Sequence, residues 1–306
     1  MQIKSPLTNS LNVVLEQEIE VNSIVKGYQD WLQIDVSRYF GELKHIQIYR
    51  CNDTGYRFYY PSNLEGDEEL YIKLQNFPWY YVDWKWEYEI VSKAILSKDP
   101  VLEIGCGRGV FIDKMQQTGA ICRGLELNES AAKRGREKGL DIFMETIEKH
   151  AKNNFGKYDV VISFQVLEHV FNVREFLQSS IEVLKPEGKL IICVPNNDSF
   201  VKYAKGWVTN MPPHHMGLWN EESLKSIQNL FPVKVTKVYF EPLSTYDWYY
   251  HVHSEIILSF LDNRNKILGR IVRRLSRIIR DPSIALLKIF SKLIHSHSII
   301  VEFTKL

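Results

Sequence analysis

The sequence predicts an α/β fold whose body is a doubly wound, mostly parallel sheet, and three observations lead there. From Pro100 onward strand-like and helix-like segments alternate, the pattern of successive strand–helix–strand units. The runs VVISF (160–164) and LIICV (190–194) are nearly continuously apolar, as strands covered by helices on both faces are. The first of these strands ends in VLEIGCGRG (101–109), three glycines at alternate positions before apolar Val110 and Phe111, where such sheets place a ligand.

In order along the chain, PVLEI reads as the first strand, with a helix near 110–118. ICRGLEL is the second, with a helix from Glu129, and LDIFM the third, followed by TIEKHAKN. YDVVISF, the helix VREFLQSSIEVL, the strand KLIICV, a long loop, the helix ESLKSIQNLF and the strand VKVTKVYF continue the series. Before Pro100 the texture changes. Residues 28–88 are crowded with Tyr and Trp and residues 84–96 look helical, so a separate small N-terminal unit is expected. No internal repeat or low-complexity stretch interrupts the chain.

Composition narrows the class. With 306 residues, 45% hydrophobic and 25% charged, the chain is a soluble globular protein large enough for a full core. A formal net charge of +1 supplies no global field to gather nucleic acid, and none is expected as a partner. MQIKSPLTNS lacks the features of a signal peptide, and no apolar run reaches the ~20 residues of a spanning helix, which points to the cytoplasm. Cys51, Cys106, Cys122 and Cys193 form no CxxC pair, and Cys106, Cys122 and Cys193 lie in or beside apolar runs; reduced thiols are expected, and no metal ligands.

The glycine turn then asks what it holds. Gly105, Gly107 and Gly109 allow positive φ and close approach of a ligand to bare backbone, and the helix behind them offers free N–H groups. The spacing is GxGxG; the third glycine of a dinucleotide fingerprint would fall at Val110, which weakens a pyrophosphate reading. Glu103, inside the end of the first strand, is costly to bury without a cationic or hydrogen-bonding partner. Glu126, ending the second strand in GLELN, is placed to accept both hydroxyls of a ribose. A ligand with an ammonium group at one end and a ribose at the other satisfies both acids, and S-adenosylmethionine is such a ligand.

VLEIGCGRG, GLELN, YDVVISFQVLEHV and LKPEGKLIICVPN, in this order, resemble a class I S-adenosylmethionine-dependent methyltransferase over about residues 84–245 plus the final strand SIIVEFTKL. The resemblance implies a Rossmann-like, doubly wound seven-stranded sheet in the order 3-2-1-4-5-7-6 with the last strand antiparallel. It also implies that Glu103 and the backbone of Gly105, Cys106, Gly107 and Gly109 hold the methionine end, while Glu126 takes the ribose and Leu127 flanks the adenine. Thr146 and Ile147 would line the adenine pocket, and Gln165 would touch the methionyl part.

The acceptor side is expected from the loop PNNDSFVKYAKGWVTNMPPHHMGLWN. One of His214 and His215 is a candidate general base for a hydroxyl, or braces the loop; His169, in VLEHV beside Glu168, lines the site or packs the start of a helix. IYRCNDTGYRFYYP resembles a small zinc-ribbon module found ahead of some sugar and polysaccharide-cluster methyltransferases, but only Cys51 remains, with Thr54 where a second ligand would stand. In the same relatives YYVDWKWEYEIV resembles the segment that closes over the cofactor, making Tyr80, Tyr81 and Trp84 candidate lid residues and Tyr81 a cofactor contact; packing is the plain alternative.

RNKILGRIVRRLSRIIR (264–280) puts Ile267, Ile271 and Leu275 on one helical face and Arg270, Arg273, Arg274 and Arg277 on the other, and IALLKIFSKLI follows Pro282. Such a segment over 264–294 suits an anionic membrane surface, which would place the protein peripherally at the inner membrane face. It equally suits packing on the N-terminal unit or on a second copy in a homodimer. The expected organisation is 1–83 as the N-terminal unit, 84–248 with 297–306 as the methyltransferase domain, and 249–296 as a helical insertion before the last strand. The function expected is methyl transfer to a hydroxyl of a sugar, nucleotide-sugar or lipid-linked saccharide. The alternatives are another small metabolite such as a quinone precursor, NAD-dependent oxidoreduction on the same sheet, or cofactor binding without turnover.

Overall fold

A computed structural model describes residues 2–77, 79–80, 83–203, 207–242 and 295–306. The N-terminal part contains β1 (Val13–Glu20), α1 (Val21–Leu32), β2 (His45–Cys51), β3 (Arg57–Tyr60) and α2 (Glu68–Leu74). α3 (Trp86–Ser92) leads into β4 (Pro100–Ile104), α4 (Val110–Gln116), β5 (Ile121–Leu125), α5 (Glu129–Glu137), β6 (Ile142–Phe143) and α6 (Ile147–Ala151). β7 (Tyr158–Phe164), α7 (Val173–Glu182), β8 (Leu184–Pro195), β9 (Gly217–Leu218), α8 (Glu221–Lys225), β10 (Val233–Pro242) and β11 (His295–Lys305) complete the series.

The main sheet has seven strands in the order β6-β5-β4-β7-β8-β11-β10. Numbered within the sheet this is 3-2-1-4-5-7-6, with β4 beside β5 and β7 in parallel and β11 antiparallel to both β8 and β10, as the sequence resemblance implies. The apolar runs explain who sits inside: β7 is buried at six of its seven positions and β8 is buried from Leu190 through Pro195. Boundaries depart from the sequence reading where local chemistry intervenes. Thr146 caps α6 by accepting from the Lys149 N–H, which makes it the residue before the helix. Asn220 and Ser223 form a reciprocal capping box that starts α8. The last strand begins at His295, ahead of the expected start at 297.

β1, β2 and β3 form an antiparallel sheet whose fourth strand, β9, comes from the loop after β8, pairing Arg57 with Leu218 and Phe58 with Gly217. The N-terminal unit expected from the texture before Pro100 thus has its own sheet but shares a core with the main one: Leu7, Tyr56 and Phe58 lie in the same apolar cluster as Leu102, Leu190, Trp219 and Leu224. Trp219 is fully buried with its ring 4.2 Å from that of Tyr56. Gly217 is required there, since a Cβ on it would stand 2.3 Å from the Tyr56 hydroxyl. All four cysteines are free and buried; Cys51 ends β2 with its sulfur 3.6 Å from the Thr8 hydroxyl.

The basic stretch 264–280 and nearly all of the insertion expected at 249–296 lie outside the described residues, as does Tyr81. Among the described residues no helix is long and apolar enough to cross a membrane.

Because Trp219 joins the two sheets, Trp219→Ala is expected to cost about 3–5 kcal/mol, the range for emptying a large aromatic site. Urea unfolding followed by circular dichroism and by tryptophan fluorescence should give coincident transitions in the wild type; two separated transitions would contradict a shared core.

Candidate functional site

The glycine turn between β4 and α4 is built as the spacing demands. Gly105, Gly107 and Gly109 have φ of 71°, 55° and 73°, the left-handed region that other residues adopt at a cost. A Cβ on Gly105 would lie 2.4 Å from Val166 Cγ2, and one on Gly109 would lie 2.4 Å from Leu140 Cδ1. The turn is tied to the end of β5, where the Leu125 carbonyl accepts from the Gly105 and Cys106 N–H groups at 2.8 and 3.0 Å. Cys106 turns its side chain under the sheet: a Cβ on Gly124 would meet its sulfur at 2.4 Å, so only its backbone faces the turn's open side.

The two acids expected at this turn occupy it in different ways. Glu126 accepts from the Gly107 N–H through Oε2 and from the Asn128 N–H through Oε1, both at 2.7 Å. Burial nonetheless raises its carboxyl above the ordinary range. Each oxygen retains acceptor capacity for a ligand hydroxyl. Glu103 is 1% exposed, its Oε2 has no hydrogen-bond partner, and burial holds its carboxyl well above the ordinary range. The positive charge of Lys85 opposes that rise. An orphaned buried carboxyl oxygen beside a bare glycine turn fits a ligand bearing an ammonium group.

On the adenine side, Leu127 is 62% exposed, and Phe143 and Met144 are also exposed, leaving an apolar rim next to Glu126. The other residues carried over from the resemblance sit differently. Ile147 is buried in the main core, with Leu125 in the same cluster, so its side chain points away from that rim. Thr146 spends its hydroxyl on capping α6. Gln165, with φ of 54°, directs its Nε2 to Ser298 Oγ at 3.3 Å and Cys193 Sγ at 3.4 Å, toward β8 and β11.

The three candidate histidines, separated along the chain, meet at the end of β7. Ring centroids lie 4.6 Å apart for His169 and His214, 4.8 Å for His169 and His215, and 4.6 Å for His214 and His215. The Met216 and Gly217 N–H groups donate to the Glu168 carbonyl at 2.8 and 3.0 Å, which fixes the loop after β8 onto the turn after β7. Burial first, and then neighbouring rings for His214 and His215, lowers these imidazoles: His169 to about 4, His214 to about 3, His215 well below its ordinary value. Burial thus favours the neutral imidazole at all three positions, the form in which a ring nitrogen can accept a proton or hold a cation. Glu168, 1% exposed with an unpartnered Oε2, is pushed up to about 8 by the same burial.

Sequence reading missed Lys85 and Tyr71. Lys85, 4.0 Å from buried Glu87, acts electrostatically on both Glu103 and Glu168. Tyr71, on α2, packs its ring 5.8 Å from His169 and 6.0 Å from His214. Of the candidate lid residues, Tyr80 lies 6.0 Å from His214, while Trp84 stacks on Phe111 at 6.4 Å and is 38% exposed.

Comparison with known proteins gives this region a family. Residues 85–231 match the family model described as a methyltransferase domain, just under half of the chain. A ubiquinone biosynthesis O-methyltransferase of Salmonella paratyphi A is 30% identical over 114 residues, 35% of this chain and 45% of that protein. The corresponding enzyme of Cronobacter sakazakii is 32% identical over the same shares. The chain thus spans less than half the length of these relatives. A SAM-dependent methyltransferase from Archaeoglobus fulgidus aligns with a TM-score of 0.46 at 20% identity, over 71% of this chain and 94% of its own. Residues 85–231 are thus similar to a methyltransferase domain; they hold the first five strands of the order 3-2-1-4-5-7-6, which β10 and β11 complete, and the glycine turn beside Glu103 and Glu126.

Proposed function

We propose that the whole protein is a methyltransferase that delivers the methyl group of S-adenosylmethionine to a hydroxyl of a small molecule. The observation that carries this reading is the buried, unpartnered Oε2 of Glu103 beside three positive-φ glycines, with Glu126 across the turn. Bound there, the sulfonium supplies an already activated methyl group, so the protein's work is placement. Glu103 would hold the ammonium, the Gly105–Gly109 backbone would receive the methionine end without a side chain intervening, and Glu126 would orient the ribose. Leu127, Phe143 and Met144 would supply apolar surface for the adenine. The GxGxG spacing, with Val110 at the place of a third dinucleotide glycine, disfavours NAD on the same sheet.

A hydroxyl acceptor is supported from two directions. The segments IYRCNDTGYRFYYP and YYVDWKWEYEIV resemble those of sugar and polysaccharide-cluster enzymes, which favours a sugar, nucleotide-sugar or lipid-linked saccharide. The relatives' names favour the second reading, a quinone precursor. Incubation with methyl-labelled cofactor and parallel panels of saccharides and dihydroxybenzenes should label one class only. Label in neither, from protein that binds the cofactor, would leave a binding protein without turnover; binding of NAD and not S-adenosylmethionine would overturn the reading altogether.

Glu103→Gln is expected to weaken S-adenosylmethionine binding by about 1.5–3 kcal/mol, the range for a hydrogen bond to a charged group, in isothermal titration. The free protein should respond in the opposite sense. Burial raises the folded carboxyl above its unfolded value, so the folded state retains a proton that the unfolded state has lost. Stability therefore falls as pH rises from the unfolded pKa through the folded one, and Glu103→Gln should raise the melting temperature above that window's lower edge. Cofactor affinity in the wild type should rise with pH across the same interval and release a proton, measurable as a buffer-dependent binding enthalpy.

For Glu126→Ala the expected loss is about 1–3 kcal/mol of cofactor affinity, because the change removes two ligand contacts and also frees the Gly107 and Asn128 N–H groups. Unchanged titration curves would mean that the ribose is held elsewhere.

A further inference from the structure

We propose that His169, His214 and His215 form a divalent-cation site of the three-imidazole type, suited to zinc, with Glu168 beside its open position. The sequence assigned no metal to this chain. Among the described residues these three form the one group of three or more metal-ligating side chains whose ligand atoms converge, all within 4.8 Å of one another. Nitrogens bound tetrahedrally at zinc–imidazole distances of ~2.0–2.1 Å stand roughly 3.3 Å apart, so a small closure of the rings completes the geometry.

The hydrogen bonds behind the rings fix which nitrogen each presents. His169 Nδ1 is 2.6 Å from the His214 carbonyl and His214 Nδ1 is 2.9 Å from the Thr209 carbonyl. A carbonyl only accepts, so both Nδ1 atoms carry the proton. His215 Nδ1 faces Asn210 Oδ1 at 2.9 Å, and that amide's orientation is settled one step further back. Asn197 Nδ2 donates to the Pro195 and Trp219 carbonyls, which leaves Asn197 Oδ1 to accept from Asn210 Nδ2 at 2.8 Å and Asn210 Oδ1 to accept from His215. All three Nδ1 atoms are therefore donors, and all three Nε2 atoms keep a lone pair. This is the arrangement by which carbonyl and amide groups orient metal-binding histidines.

A second observation points to a ligand. His214 is 6% exposed, and its Nε2 has no partner. A buried acceptor left unmade is costly, and neighbouring Nε2 atoms that themselves carry lone pairs cannot donate to it. A cation resolves both. Glu168 Oε1 stands 3.9 Å from His169 Nε2 and Glu168 Oε2 is unpartnered, so a carboxyl borders the position that three imidazoles leave open. No cysteine is in the set, and imidazole ligands suit zinc and its first-row neighbours, not magnesium or calcium. The site stands whether or not the protein transfers a methyl group.

The test uses the full chain, stripped with a chelator, desalted, and titrated with zinc sulfate and separately with cobalt(II) chloride, in the absence of cofactor and acceptor. One equivalent of zinc per chain is expected, and a visible cobalt ligand-field spectrum without thiolate charge-transfer absorption. His214→Ala and His215→Ala should each weaken zinc binding by at least roughly a hundredfold, and Asn210→Ala, which leaves the ligands in place, by about ten- to a hundredfold. His45→Ala, at an exposed position on β2, should change nothing. No binding of either metal by the wild type, a thiolate band in the cobalt spectrum, or full retention in the His169/His214/His215 triple alanine variant would overturn the proposal. The wild-type cobalt spectrum decides the matter even where a variant does not fold by circular dichroism.

Discussion

Burial without a partner is the constraint around which the carboxyl edge of the main sheet is organised. Glu103 closes β4, Glu168 follows β7, and His214 is brought above them by the loop after β8; each has a buried polar atom with no hydrogen-bond partner in the protein. Asn128 Nδ2 at the N-cap of α5, Ser163 Oγ near the end of β7 and Trp219 Nε1 just beyond β9 share that condition. Folded proteins satisfy nearly all such groups, so their concentration on one edge marks surface that is complete only with a ligand. The charge each group prefers says what kind. Two acids held toward their neutral forms ask for positive charge, and so do three imidazoles whose ligand atoms lie within 4.8 Å of one another.

The rest of the structure keeps those groups in place. Glu126 bridges the glycine turn and the start of α5, so the same carboxylate that would meet a ribose also sets the turn's shape. The loop after β8 is anchored twice: β9 joins the N-terminal sheet, and the Met216 and Gly217 amides bind the Glu168 carbonyl. Trp219, just beyond β9, locks against Tyr56. The N-terminal sheet is therefore part of how the histidines are positioned, through a strand of two residues.

The order of the main sheet was readable because its signals are local: alternating segments, apolar runs in β7 and β8, and glycines at a strand end. Glu103 and Glu126 were readable for the same reason, each lying within a strand's last residues. Features that depend on where a side chain turns were not. Ile147 was placed by position beside an adenine pocket, yet packing in the main core decides its direction, and Gln165 is turned toward β11 by Ser298. The meeting of His169 with His214 and His215 spans about 45 residues and hangs on two backbone hydrogen bonds that no spacing announces. β9 is too short for a periodic pattern, so the N-terminal unit read as separate although its core is shared.

What sequence alone could not show about the histidines was their environment. A histidine on a loop facing the carboxyl edge suggests an exposed base of ordinary strength, and a base works best with a pKa near the operating pH. Here the loop is folded down against α2 and the turn after β7, where Tyr71 covers two of the rings and water no longer stabilises an imidazolium. The same burial leaves His214 Nε2 without a partner, while Asn210 and two carbonyls take the Nδ1 protons and leave each Nε2 a lone pair. Holding is what such groups do well. On that argument the histidine side of this edge and its glycine-turn side obey one rule: each holds a buried acid toward its neutral form, and the positive charge of Lys85 opposes that shift in both.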